Sequence, residues 1–260
     1  MFPLKDNIPT ERLPVVTIVL IAINCIVYLF LQPKSGIDFG GNSLDQQDLT
    51  KYAAIPYEFS HWGKHCAYDG ATPPNGITCA VSGRHQEATW LTAFTAMFTH
   101  GGLLHLGGNM LFLWIFGNNV EDAMGRVKYV AFYLLGGLAA LALQIAIDPS
   151  AQVPTLGASG AIAAVLGGYI LLYPRARVLT VIFIIFFFTL VEIPAILVLG
   201  LWFVEQLAFG AWGLSNPTGG GGGVAYFAHI GGFAFGLLAI RAFARRRNAA
   251  YVGGPRHPVY

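Results

Sequence analysis

Leu156-Gly157-Ala158-Ser159-Gly160-Ala161 opens an apolar run that ends near Tyr173, about 18 residues in all. A membrane-crossing helix needs roughly 20 apolar residues at about 1.5 Å each, so this run is close to one full span. Pro174 and Arg175 mark its inner end, which puts Ser159 just below the opposite membrane surface. The neighbours of the serine are small and let other backbones come close. Amides at a helix N-terminus point at whatever lies above them. The preceding stretch, 148–155, then dips toward the bilayer, and irregular backbone is tolerated at that depth only against protein or a water-filled cavity. The stretch therefore reads as the floor of a wet pocket around Ser159.

Composition agrees with a membrane setting. The 260 residues are 55% hydrophobic and only 11% charged, with a mean hydropathy of +0.59. A soluble domain carries about 25% charged residues. The formal net charge of +2 gives no ground for a nucleic-acid partner. The first apolar run starts at Pro14, and Asn24-Cys25 interrupts it without a small-x-small cleavage site, so it is expected to stay as a span. The lack of a targeting presequence favours a multi-pass protein of a bacterial plasma membrane.

Working outward, residues 1–13 form a short polar N-terminal segment and 14–31 the first span. Residues 32–89 are a polar insertion rich in Gly, Pro, Asn and Asp, too long for a passive connection. From residue 90 to 243 the chain is again mostly apolar. Spans are predicted at 103–116, entered by a short interfacial helix at 91–98, then at 129–147 and 156–173. The tract 178–212 is harder to divide. Its first part, to Leu190, is β-branched and aromatic and is too short to cross, so it reads as extended or interfacial. Pro194 suits the first turn of a helix, which places the fifth span at 194–212. A loop with five consecutive glycines at 219–223 precedes the last span at 224–243, and a basic tail, 244–260, carries Arg245, Arg246 and Arg247.

The predicted fold class is thus an all-α, six-span membrane bundle with a long first extracytoplasmic loop. Charge fixes its orientation. Six spans gather Lys5, Arg12, Arg126, Lys128, Arg175, Arg177 and the tail arginines on one face, while the loops at 148–155 and 213–223 hold no Lys or Arg. By the positive-inside rule both termini are expected in the cytoplasm.

A serine hydroxyl is barely ionised at neutral pH and needs a base to act as a nucleophile. The one histidine of the later spans is His229, about five residues into the last span, as Ser159 is about three into the fourth. Both helices run from outside to inside, so the two side chains share a depth. Gly232 and Gly236 on the last helix, with Gly160 and Gly168 on the fourth, offer small surfaces for close packing. That is the spatial requirement of a Ser–His dyad. The bland alternative is a packing serine and a structural histidine, against which stands the expense of an ionisable group in a membrane. On the second span His105 and Asn109 are four apart and share one helical face. With the Ser159 amide they can form an oxyanion hole; otherwise they are interhelical hydrogen bonds.

Gly157-Ala158-Ser159-Gly160, Ala228-His229-Ile230-Gly231-Gly232 and His100 with His105-x-x-x-Asn109 together resemble the rhomboid family of intramembrane serine proteases. So does Val120-Glu121-Asp122-Ala123-Met124-Gly125-Arg126. The resemblance covers roughly residues 90–243. It implies a Ser159 nucleophile, His229 as general base and then acid, and oxyanion donors at His105, Asn109 and the Ser159 amide, with Gly157 and Gly160 in support. It also implies transmembrane protein substrates that enter laterally from the lipid bilayer past the fifth span, and no cofactor. Two positions depart from the family. Trp90 is followed by Leu91 rather than an arginine, and Ala163 stands where some members carry a tyrosine that stacks on the histidine. With no acidic partner in sequence, packing alone is expected to orient His229.

Other features have quieter readings. Cys66 and Cys79 fall in the first loop, where a disulfide closing about 13 residues would contribute roughly 3 kcal/mol. The alternative is a metal site of His61, His65, Cys66 and Cys79, with His85 nearby, although the spacing is irregular for zinc. Glu121 and Arg126 are expected to pin the turn after the second span. Glu205 with Gln206 in the fifth span hints at a polar pathway. The rival functions are a catalytically silent client-binding protein of the same fold and a small transporter. The latter would more often show repeated halves, and no internal repeat is present.

Overall fold

The computed structural model describes residues 2–32, 46–70, 76–81, 88–184, 187–215 and 224–244. In chain order its elements are β1 (Phe2–Asp6), α1 (Val15–Ile26), α2 (Gln46–Tyr52), α3 (Pro56–Ser60), β2 (His65–Tyr68) and β3 (Ile77–Val81). Then come α4 (Thr89–Thr95), α5 (Leu103–Phe112), α6 (Asn118–Met124), α7 (Arg126–Ile147), α8 (Ser159–Leu172), β4 (Arg177–Ile184), β5 (Phe187–Pro194), α9 (Ala195–Ser215) and α10 (Tyr226–Phe243). Three helices, α7, α9 and α10, are long and apolar enough to cross a membrane. Val15–Leu31 and Ser159–Leu172 are shorter apolar helices.

The packing centres on α8. Every residue from Gly160 to Tyr169 is buried, as expected of a helix apolar all the way round. Its small residues set how closely the neighbours approach. A methyl group at Gly232 of α10 would lie 2.0 Å from the Gly160 carbonyl oxygen, and one at Gly236 would lie 2.0 Å from that of Ala164. On the other side, a methyl at Gly136 of α7 would meet the Ala164 side chain at 2.4 Å. The helices therefore touch backbone to backbone, the packing small residues permit in membranes.

The chain is not all-α. β1, β4 and β5 form a three-stranded antiparallel sheet in that order, and β2 and β3 form a hairpin. The stretch before Pro194 thus adopts the extended conformation its β-branched and aromatic residues favour. What the sequence conceals is its partner, the N-terminal strand, more than 170 residues away.

Long-range polar contacts gather the N-terminal end of the chain against the same end of the bundle. The Glu121 carboxylate accepts hydrogen bonds from the Val16 and Thr17 amides, at 3.0 and 2.8 Å, and from the Thr17 hydroxyl. It therefore caps the start of α1 from another helix rather than serving only the turn after α5. Asp6 Oδ2 accepts from Asn119 Nδ2 at 2.7 Å and from the Tyr169 hydroxyl at 2.5 Å. Burial pushes the Asp6 carboxyl up to about 6, although these hydrogen bonds pull the other way. Lys128 Nζ donates to the Phe243 carbonyl, which sets the end of α10 beside the start of α7. The tail arginines 245–247 lie outside the described residues.

At the opposite end the described part of the insertion packs against the bundle, α3 lying beside α4 and α7. Cys66 and Cys79 are directly paired across β2 and β3 and joined by a disulfide. Around them Ile55, Cys66 and Ile77 form a small core of their own. The insertion reaches the loop before α8 through two backbone hydrogen bonds between Ala54 and Thr155, at 2.9 and 2.8 Å.

Candidate active site

Ser159 is the first residue of α8, and the loop leading to it is fixed on two sides. The Gly157 amide donates to the Ala96 carbonyl at 2.8 Å, just beyond α4, while Thr155 is tied to Ala54. Gly157 has φ +114°, a region that L side chains rarely adopt and glycine enters freely. A methyl there would also lie 2.7 Å from His105 Nε2 and 3.6 Å from Asn109 Nδ2. Both side chains of the α5 face are thus brought against the backbone two residues before the serine.

His229 extends from the first turn of α10 to within 2.7 Å of Ser159, Nε2 to Oγ. Its other ring nitrogen, Nδ1, lies 2.7 Å from Gln206 Oε1 on α9. A carboxamide oxygen only accepts, so with Gln206 in this orientation the contact is made by a protonated Nδ1, and Nε2 is the ring nitrogen that faces Ser159. Trp202, one turn before Gln206, places its ring 5.7 Å from that of His229. Trp202 supplies the packing the sequence reading expected around His229, and Gln206 adds a polar contact it did not. Gln206 was legible there only as half of a polar pair in an apolar tract. Its i, i+4 spacing from Trp202 was the available sign of a shared face.

The α5 residues present donors. His105 Nδ1 accepts from the Gly101 amide at 3.4 Å, which leaves Nε2 as the protonated nitrogen, on the Gly157 side. Asn109 is buried, and its Nδ2 has no hydrogen-bond partner among the described residues. His100 is fully buried and meets the His105 ring edge-on at 5.1 Å. Gln32 holds its backbone through two hydrogen bonds, at 2.6 and 3.0 Å. Burial, and then the neighbouring His105, holds His100 well below the ordinary histidine range, at about 3, so it stays neutral. A cavity of about 730 Å³ joins His105, Asn109, Ser159, Trp202 and His229.

The remaining candidates lie elsewhere. His61 is stacked on Tyr57 with ring centroids 4.0 Å apart, and its Nδ1 lies 2.9 Å from the Ser60 hydroxyl. His65 opens β2, and Cys66 shares the disulfide with Cys79. Among the described residues no group of three or more His, Cys, Asp or Glu side chains is placed to hold a metal ion. His85 and the glycine run 219–223 lie outside the described residues.

The chain was compared with known proteins. The Rhomboid domain profile matches residues 87–246. Rhomboid protein 1, mitochondrial, of Saccharomyces cerevisiae is 32% identical over 145 residues, 54% of this chain and 38% of that protein. RHOMBOID-like protein 12, mitochondrial, of Arabidopsis thaliana is 29% identical over 176 residues, 62% of this chain and 47% of that protein. Presenilin-associated rhomboid-like protein, mitochondrial, of Mus musculus is 32% identical over 94 residues, covering 35% and 25%. The chain spans less than half the length of each of these relatives. Their names correct the expectation of a bacterial plasma membrane with cytoplasmic termini, because all three are eukaryotic and mitochondrial. The asymmetry of Lys and Arg sets one face of the bundle against the other but does not name the membrane. The profile match covers well over half of the chain and includes α5, α8 and α10, the helices that carry His105, Ser159 and His229: the chain belongs to the rhomboid family.

Proposed function

We propose that this chain is an intramembrane serine endopeptidase that cleaves transmembrane segments of other membrane proteins. The observation that carries the proposal is the 2.7 Å contact between Ser159 Oγ and His229 Nε2, with Gln206 holding the opposite ring nitrogen. In this reading Ser159 Oγ attacks the scissile carbonyl while His229 Nε2 takes its proton. The oxyanion of the tetrahedral intermediate is met by His105 Nε2–H, Asn109 Nδ2–H and the Ser159 amide, donors aimed at where charge develops. His229 then gives its proton to the leaving amine as the C–N bond breaks. Water from the cavity, deprotonated by the same nitrogen, hydrolyses the acyl-enzyme and returns Ser159 to the hydroxyl form.

Two further parts belong to the proposal. The chain crosses its membrane six times, with the helix from Val15, α5, α7, α8, α9 and α10 as the spans. The membrane is a mitochondrial one, as the names of the relatives indicate. Substrate helices enter laterally past α9, which buries only Ala195, Val198, Leu199, Gln206 and Gly210 of its 21 residues. A transmembrane helix has its carbonyls bonded internally, so it must unwind before attack. Substrates with helix-poor residues near the level of Ser159 are therefore preferred.

A fluorophosphonate probe tests the nucleophile without any knowledge of substrate. Wild-type protein should be labelled at Ser159, and His229→Ala should lose the label. Folded wild-type protein that takes no label would favour a catalytically silent, client-binding member of the family.

A further inference from the structure

We propose that the exposed aromatic surface of the β4–β5 hairpin, carried by Phe183, Phe187 and Phe188, is an interfacial anchor that lies in the headgroup region of a phospholipid bilayer, at the base of α9. The proposal rests on the chain spanning a membrane and is independent of the catalytic reading.

The hairpin has a covered base and a bare overhang. β1 pairs with β4 only from Val178 to Val181. Val178 and Thr180 at the base are fully buried. Beyond Val181 no third strand covers the hairpin among the described residues, and exposed phenylalanines stand on both of its faces. Phe183 and Phe188 are paired across the strands and are 70% and 71% exposed, while Phe187, on the opposite face, is 80% exposed. No charged residue occurs between Arg177 and Glu192, whose side chains form a diagonal ion pair at the base, 3.7 Å apart.

Contiguous exposed apolar surface of this kind marks an interaction site. A protein partner docking on a sheet covers one face, whereas here both faces are apolar. A lipid environment suits both. The hydrocarbon core is excluded as the resting place, because the outer strand edges carry open backbone groups that find no hydrogen-bond partner there. The headgroup region meets both demands. Aromatic side chains are favoured there, and water still reaches the backbone. Past the Arg177–Glu192 pair, the chain leads from the patch to the apolar flank of the bundle. β5 runs directly into α9, whose Ile196, Leu197 and Leu201 are exposed in turn. The joint is rigid, since the Ala195 amide donates to the Ala176 carbonyl at 2.8 Å and Ala195 is fully buried. Anchoring the hairpin therefore fixes one end of α9 and leaves the end near Ser215 to other contacts.

The test uses the full chain in phosphatidylcholine nanodiscs, with the environment-sensitive fluorophore NBD on Phe187→Cys. The background is Cys25→Ser, which leaves the Cys66–Cys79 disulfide in place. The anchor requires blue-shifted emission, loss of quenching by aqueous iodide, and stronger quenching by a lipid nitroxide near the headgroup than by one deep in the acyl chain. Lys64→Cys, in the insertion, provides the water-exposed reference. Iodide quenching equal to that reference would overturn the proposal. Deeper quenching than shallow would overturn the interfacial placement. Protection from iodide without any nitroxide quenching would mean that a protein surface covers the hairpin, which also overturns it. Phe188→Cys gives the same readings should Phe187→Cys fail to fold. Because depth and not cleavage is read, a catalytically silent chain would leave this outcome unchanged.

Discussion

Gln206 Oε1 on α9 lies 2.7 Å from His229 Nδ1 on α10, at the ring nitrogen opposite the one that faces Ser159. The contact reaches the imidazole from a helix that carries neither Ser159 nor His229. In Ser-His-Asp enzymes the third group holds the imidazole in the tautomer that can accept the serine proton; under the proposed mechanism a neutral carboxamide would do the orienting part of that work without the charge.

Gln206→Leu should therefore lower kcat by about 10- to 100-fold with little change in KM, smaller than the loss of a whole general base. Gln206→Glu should restore most of the rate, because a carboxylate accepts the same Nδ1 proton. Equal loss in both variants, tracking a loss of thermal stability, would reduce Gln206 to a packing residue.

Asn109 Nδ2 has no partner in the resting structure among the described residues, so truncating it breaks no donor contact there. Asn109→Ala should reduce kcat by about 100- to 1000-fold, the effect of removing one oxyanion donor, while the melting temperature stays close to that of wild type. Unchanged turnover would remove Asn109 from the oxyanion hole.

Gly232 faces the Gly160 carbonyl where α10 comes close to α8. A methyl group there cannot be accommodated without moving a backbone, so Gly232→Ala should destabilise by about 1–3 kcal/mol, the usual range for overpacking. It should also slow cleavage, since it separates the helices that carry Ser159 and His229. Gly200→Ala on α9 meets open space and should leave both unchanged. Equal melting temperatures for the two variants would contradict this packing.

Asp6 links the N-terminal strand to Asn119 and Tyr169, and burial raises its carboxyl from 3.8 to about 6. The folded protein then holds this proton more tightly than the unfolded chain does. The stabilisation is complete below about pH 3.8 and is lost as pH rises through about 6. The loss amounts to about 3 kcal/mol. Glu58, also raised by burial, acts in the same direction. Thermal unfolding of wild type measured against Asp6→Asn should show the difference shift against wild type across that window. A difference that is flat, or that moves the other way, would contradict the assignment.

How much of this was legible in the sequence depends on the range of the interaction. Runs of apolar residues mark helices by local pattern, so α8 begins three residues inside the predicted 156–173 and α9 begins one residue after Pro194. The small residues of α8 and α10 also read directly as a close interface. Ser159 and His229 could be set at one depth because both positions were counted from the same surface. Partners supplied by remote chain were not legible. Nothing local tells that Phe2–Asp6 will pair with β4, that Glu121 will cap α1, or that Gln206 will turn inward toward a histidine 23 residues later. The hairpin itself carries no Gly, Pro or Asn between Arg177 and Ile193 to announce a turn, which is why its extended character was readable but its pairing was not.

The most direct measurement of the central claim compares purified wild-type protein with Ser159→Ala on a single-span transmembrane substrate in detergent. The dyad account predicts that the wild type cleaves the substrate within or next to its span and that the variant, equally folded, does not. Equal cleavage by both proteins would contradict it, because the nucleophile would then lie elsewhere.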